Sequence, residues 1–177
     1  MNSKIFVNID STYRNRTLYP NPADFKILIN GTSQNSLSFY NVDFETCYKI
    51  ELVSLTLPNV ILNSGYGNRI AFYPYVYVEF SSTNKPAKHI LWSNNPNSTT
   101  SLFKIPMYNI NTPEISKFVR VDGRGMTQTI TFTPRDCYTL KVLLPNGETF
   151  LTESDTVPPD IPDEDLQISY TFSLTKN

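Results

Sequence analysis

The stretch LQISYTFSL, from Leu166 to Leu174, sets Leu166, Ile168, Tyr170, Phe172 and Leu174 against Gln167, Ser169, Thr171 and Ser173. Successive side chains of a strand point to opposite faces, so this period of two marks an extended segment with one buried face. A helix would spread the same apolar residues over opposite sides of its cylinder. Just before it, residues 153 to 165 are acidic and proline-rich, which reads as a solvated loop. Further back, Tyr138, Leu140, Val142 and Leu144 repeat the alternation and run into Pro145-Asn146-Gly147, a turn from which Glu148 to Leu151 can pair back.

The rhythm continues toward the amino terminus. Thr127 to Thr133, Lys117 to Val121 and Leu102 to Pro106 each read as strands. Val76, Val78 and Phe80 fill one face of another, with Tyr73, Tyr75 and Tyr77 on the opposite one. The run from Tyr48 to Leu57 changes phase: Ile50 and Leu52 point one way, then Val53, Leu55 and Leu57 the other. A bulge, or burial of both faces in turn, would produce such a switch. Phe25, Ile27 and Ile29 start the first core strand, closed by Asn30-Gly31, and Ile5, Val7 and Ile9 make residues 4 to 9 extended. Leaving aside the amino-terminal stretch, about eight core strands and no amphipathic helix point to a two-sheet, jelly-roll or Greek-key architecture.

Composition agrees. The 177 residues include 11 Tyr, 11 Phe and 13 Pro but only three alanines (Ala23, Ala71 and Ala87), a balance that favours pleated surfaces over helices. Net charge is −1, from 15 basic and 16 acidic side chains, without the basic excess of a dedicated nucleic-acid binder. No apolar run reaches the ~18 residues of a membrane-spanning helix. Cys47 and Cys137 read as free thiols in strands.

Machinery for chemistry is sparse. His89, the one histidine, lies in a Lys-rich loop with Lys85, Pro86 and Lys88, and no Gly-x-Ser-x-Gly elbow accompanies it. Asp160, Asp163, Glu164 and Asp165 crowd one short segment that reads as solvated, not as a rigid carboxylate pair. Asp122-Gly123-Arg124-Gly125 lacks the Gly-Lys-Ser/Thr ending of a phosphate loop and reads as a turn. The expectation is a protein that is not an enzyme, with no catalytic residues, metal or cofactor.

The specific signal lies between Asp10 and Phe25, DSTYRNRTLYPNPADF. It resembles the amino-terminal signature of small single jelly-roll capsid proteins, penton and minor capsid proteins, of nucleocytoplasmic large DNA viruses. There an Asp-Ser-Arg-x-Arg-like element precedes a Tyr-Pro-Asn-Pro-x-x-Phe element. Asp10, Ser11, Arg14 and Arg16 match the first element; Tyr19, Pro20, Asn21, Pro22 and Phe25 match the second. Thr12 and Tyr13 depart from it, where a basic and then an acidic residue are commoner. Ile50-Glu51-Leu52 through Leu57-Pro58-Asn59 also looks like that family's next strand and its ending.

The resemblance implies an all-β single jelly-roll sandwich of about eight antiparallel strands, with an extended amino-terminal arm over residues 1–23 and one domain over 24–177. It further implies a structural virion protein, assembled in the host cytoplasm. Its partners would be itself, as a homopentamer if it is a penton, the major capsid protein and other minor capsid proteins, with no nucleic acid and no membrane span. Asp10, Arg14, Arg16, Tyr19, Pro20, Asn21 and Pro22 are then the candidate capsid-contact arm. Arg14 and Arg16, two apart on an extended chain, project to one side and suit carboxylates of the same subunit or a neighbour. Tyr73, Tyr75 and Tyr77 form a candidate interface row, or else cover the second face of an internal strand. The alternative function is a glycan- or receptor-binding β-sandwich using Trp92 with Asn94 and Asn95, although a lone loop Trp also serves as a local core plug.

Overall fold

The computed structural model describes residues 4–31, 36–38, 46–65, 67–84, 91–107, 116–133 and 135–176. Ten strands run through them: β1 (Lys4–Asp10), β2 (Asp24–Ile29), β3 (Ser36–Leu37), β4 (Cys47–Pro58), β5 (Tyr75–Ser82), β6 (Phe103–Pro106), β7 (Phe118–Val121), β8 (Thr127–Thr131), β9 (Cys137–Leu143) and β10 (Ser169–Lys176). The helical content of the described residues is confined to four three-residue 3-10 turns.

The strands form two five-stranded sheets. One has the order β1-β10-β4-β7, with β8 beside β7 on the same edge of β4; the other has the order β3-β2-β9-β5-β6. All pairings are antiparallel apart from the two-residue β2–β3 contact. The pairs nest. First strand meets last (β1–β10), β2 meets β9, β4 meets β7 and β8, and β5 meets β6, as in one long hairpin of chain. Two further contacts, β10–β4 and β9–β5, curl that hairpin into two layers.

The sheets face each other across a shared aromatic core. Phe172 of β10 stacks on Phe80 of β5 at 5.3 Å between ring centroids and lies 6.3 Å from Phe103 of β6. Phe25 of β2 approaches Tyr170 of β10 at 6.4 Å. The alternating residues of LQISYTFSL are therefore the centre of the core: Ile168, Tyr170, Phe172 and Leu174 are all fully buried. Burying rings of this size, each ~150–250 Å², is the main driving term for such a fold.

The phase change in β4 is a bulge. Thr171 pairs with Ser54 and Phe172 with Leu52, so Val53 is an extra residue. The opposite edge of β4 breaks at the same place: β8 pairs with Cys47–Glu51 and β7 with Leu55–Pro58. Gly123 sits in that break, where an added Cβ would collide with the Leu52 carbonyl oxygen. The turn over residues 122 to 125 thus has a packing reason for its glycine.

The amino-terminal stretch differs from a free arm. β1 pairs with β10 from Lys4–Thr175 through Asp10–Ser169. Val7 and Ile9 are buried in the core, because their alternation matches that of β10. Among the described residues of this stretch, those after Asp10 leave the sheet, and they fold back against the same domain.

Gly123→Ala should lower stability by about 1–3 kcal/mol, as overpacking against a backbone atom does. Urea denaturation should show an earlier midpoint with an unchanged slope.

Candidate functional site

Asp10 ends β1 by turning its side chain onto the next backbone: its Oδ1 accepts from the Thr12 N–H at 2.9 Å and from Thr12 Oγ1 at 2.6 Å. The chain bends into the 3-10 turn Ser11–Tyr13. Ser11 is buried and bound at two points to Ile168, the residue just ahead of β10. Its N–H donates to the Ile168 carbonyl at 2.9 Å, and its Oγ accepts from the Ile168 N–H at 2.8 Å.

That bend delivers Arg14 into the protein, where the side chain is fully buried. All five of its N–H groups find acceptors. Nε donates to the Tyr19 carbonyl at 2.7 Å, one terminal nitrogen to the Ser11 carbonyl and Gln167 Oε1, both at 2.8 Å, and the other to the Pro20 carbonyl at 3.1 Å and Asp155 Oδ2 at 2.9 Å. Arg16 reaches the second oxygen of the same carboxylate, Oδ1, at 3.0 Å and also donates to the carbonyls of Ile161 and Pro159. Gln167 closes the network: Oε1 accepts from Ser11 Oγ at 2.8 Å, and Nε2 donates to Asp155 Oδ2 at 2.9 Å.

Asp155 therefore holds two guanidiniums with one carboxylate, at 3% side-chain exposure. Burial alone would raise its pKa. Hydrogen bonds from the Asp163 N–H, Gln167, Arg14 and Arg16 outweigh that and hold the carboxyl below its ordinary value. Burial pushes the Arg14 guanidinium down from its usual value, opposed by Asp155, yet an arginine so paired stays protonated across the physiological range.

The Tyr19-Pro20-Asn21-Pro22 element supplies backbone and turn, not a surface. Pro20 offers its carbonyl to Arg14 and to the Asp155 N–H, the latter at 3.0 Å. Asn21 Oδ1 accepts from the Ala23 N–H at 3.0 Å, and its Nδ2 donates to the Phe150 carbonyl at 3.3 Å, which sets the entry into β2.

Of the expected contact arm, then, Arg14 and Arg16 are taken up by a carboxylate of their own chain. The two arginines meet on one carboxylate although Arg14 sits at a bend and Arg16 in a turn, so the bent chain, and not an extended one, brings them together. Their partner, Asp155, and the bridging Gln167 were not singled out from the sequence. Asp155 looks like any other acid in a proline-rich loop, and it lies 141 residues from Arg14. The acidic residues that did stand out, Asp160, Asp163, Glu164 and Asp165, are exposed, and Asp165 pairs only with exposed Lys117.

Two of the three tyrosines are also covered by their own chain. Tyr77 is fully buried and Tyr73 nearly so, which leaves Tyr75 half-exposed. The Tyr77 hydroxyl accepts from Asn95 Nδ2 at 3.2 Å, and Tyr75 packs edge-on to Tyr77 under Lys104. Asn95 of the same chain thus covers Tyr77, while Tyr73 lies ahead of β5 and packs into the main core. Trp92 is 92% exposed and plugs nothing. Cys47 is exposed and Cys137 half-buried, both unbridged. His89, with Lys85, Pro86 and Lys88, falls outside the described residues.

Among the described residues no three His, Cys, Asp or Glu side chains are placed to hold a metal ion. No helix among them is long and apolar enough to cross a membrane.

No protein-family model matches the chain. Two curated proteins do. Uncharacterized protein 069L of Invertebrate iridescent virus 3 is 34% identical over 134 residues, 75% of this chain and 31% of that protein. Uncharacterized protein 198R of Invertebrate iridescent virus 6 is 31% identical over 131 residues, 73% of this chain and 27% of that protein. The relatives are viral. Iridescent viruses are large DNA viruses, so the similarity supports a viral origin for this chain. The chain spans less than a third of the length of either relative.

Asp155→Ala leaves two buried guanidiniums without their carboxylate and should cost about 3–5 kcal/mol in denaturant unfolding. The pH dependence has a definite sign. A carboxyl held below its unfolded value of about 3.9 contributes stability that is complete above that value. The contribution disappears as the pH falls through the lower native value. The wild type should therefore lose stability on acidification below about pH 4 more steeply than Asp155→Asn.

Proposed function

We propose that this chain is a structural protein of the virion of a large icosahedral DNA virus, built as a single jelly roll and serving as penton or minor capsid protein. The nested strand pairing carries the reading. With β7 and β8 sharing one position and the two-residue β3 set aside, eight strand positions pair first with eighth, second with seventh, third with sixth and fourth with fifth. That order is the one a jelly-roll plan would give, an architecture common among viral capsid and lectin domains, and it supports the reading. The viral relatives support the same direction. The Asp10-to-Phe25 motif gains a physical role: it locks the link between β1 and β2 to the segment before β10, a rigid platform at one end of the two sheets.

The best-formed polar cluster is a closed structural node, with all five Arg14 N–H groups and both terminal nitrogens of Arg16 already bonded to acceptors. It suits a building block better than an enzyme, and the chain carries out no catalysis in this reading. Its partners are copies of itself, the major capsid protein and other minor capsid proteins. It assembles in the host cytoplasm and resides in the virion.

A second reading, glycan or receptor binding, is favoured by Trp92, whose ring is available for stacking on a sugar. Asn95 is engaged with Tyr77 and the Pro145 carbonyl, which removes one expected polar contact. Glycan-array binding lost in Trp92→Ala would favour it.

Quantitative mass spectrometry of purified virions, scaled to the major capsid protein, tests the main proposal. One pentamer per icosahedral vertex corresponds to about 60 copies, and a protein spread between capsomers to roughly several hundred or more. Absence from the virion would overturn the proposal.

A further inference from the structure

β1 is an edge. Among the described residues its one strand neighbour is β10. The Ser11 N–H bond to Ile168 continues the β1–β10 register, and it fixes which backbone groups face inward. Counting back by twos, Val7 and Ile9 exchange bonds with β10, while the N–H and C=O groups of Lys4, Phe6, Asn8 and Asp10 point away from it. An open row of this kind is a template for another strand.

Three features of this edge suit a second copy of itself. On a two-fold axis through Val7, antiparallel pairing sets Lys4 opposite Asp10 of the other copy, Ile5 opposite Ile9 and Phe6 opposite Asn8. The charges at the two ends of KIFVNID are therefore opposite in sign in this register, with Lys4 shared between that contact and Glu51 of its own chain, 3.0 Å away, and Asp10 using Oδ1 for Thr12. Phe6 is 59% exposed, although it lies in the middle of a strand. Across the axis the two Phe6 rings become diagonal neighbours, within reach of each other on one face. On the inner side, a cavity of about 240 Å³ opens between the sheets at this edge, lined by Ile9, Phe25, Ile27 and Leu37 with Tyr13 and Ser36. Ile5 of the second copy, placed beside Ile9, lies at its mouth.

We propose that two copies of this chain associate through antiparallel β1–β1 pairing, joining their five-stranded sheets into one continuous ten-stranded sheet. The inference goes beyond the virion role and does not depend on it. A protein absent from virions would still pair in this way, and a capsid protein lacking the contact would remain a capsid protein.

Sedimentation velocity of the purified full chain across micromolar concentrations reads the association directly. The expected result is a β1-dependent doubling of mass that Asn8→Pro abolishes. Proline there removes an outward N–H while sparing the backbone bonds to β10; the one bond to that strand it removes is from Thr171 Oγ1 to the exposed Asn8 side chain, and edge strands accept proline at such positions. Unchanged β-sheet circular dichroism and gel-filtration behaviour as a compact monomer would show that the variant is folded. Lys4→Asp, which sets two acids opposite each other and also removes the exposed Lys4–Glu51 pair within the chain, should weaken the association at least tenfold and do so less at high salt, whereas Glu51→Gln, which removes only the internal pair, should leave it intact. Wild-type protein that stays undoubled at the highest concentration, or doubling that survives Asn8→Pro, would overturn the proposal.

Discussion

The carboxylate of Asp155 is the constraint on which the ends of this fold depend. It is buried, and it holds Arg14 and Arg16 together although the two cations repel each other. Moving such ions out of water costs several kcal/mol each, so the arrangement survives only because nearly every remaining donor and acceptor is matched. Backbone carbonyls of Ser11, Tyr19, Pro20, Pro159 and Ile161 supply the partial negative charge that one carboxylate cannot. Gln167 and Ser11 tie the cluster to the residues that lead into β10. A link between β1 and β2 and a long segment before β10, each poor in regular structure, are thereby held as rigidly as strands.

The node and the aromatic core divide the work. Phe172, Phe80, Phe103, Tyr170 and Phe25 hold the two sheets face to face, a non-directional attraction that fixes compactness. Direction comes from polar groups and backbone. The extra residue Val53 bends β4 at the point where β7 hands over to β8, and Gly123 lets the crossing chain touch Leu52. The nested pairing makes most contacts distant in sequence, which is why the closing strand β10 carries so much of the core.

Much of this was legible in the residues themselves. Alternation located the strands because each has one face in the core, and the shift from Ile50 and Leu52 to Leu55 and Leu57 announced the bulge. Pro145-Asn146-Gly147 did turn the chain back, with Leu143 bridging Thr149. Strand order was not legible, since periodicity reports which face is buried and not which neighbour is bonded. The site was half legible. Arg14 and Arg16 stood out by their motif, but their acid is distant in sequence and locally unremarked. Tyr77 read as a surface candidate because a covering segment, from Asn95 onward, leaves no mark on a strand's own pattern. Trp92 misled in the opposite sense, being a large apolar residue left in solvent.

Amide hydrogen exchange at Asp163 tests the central role of the carboxylate most directly. Asp163 lies in an exposed loop, and its N–H donates to Asp155 Oδ1 at 3.1 Å. If the node holds this segment as firmly as a strand, the Asp163 amide exchanges as slowly as those of β10, while neighbouring Asp160 exchanges fast. Exchange at Asp163 as fast as at Asp160 would contradict the account, because the loop would then open without disturbing the arginines.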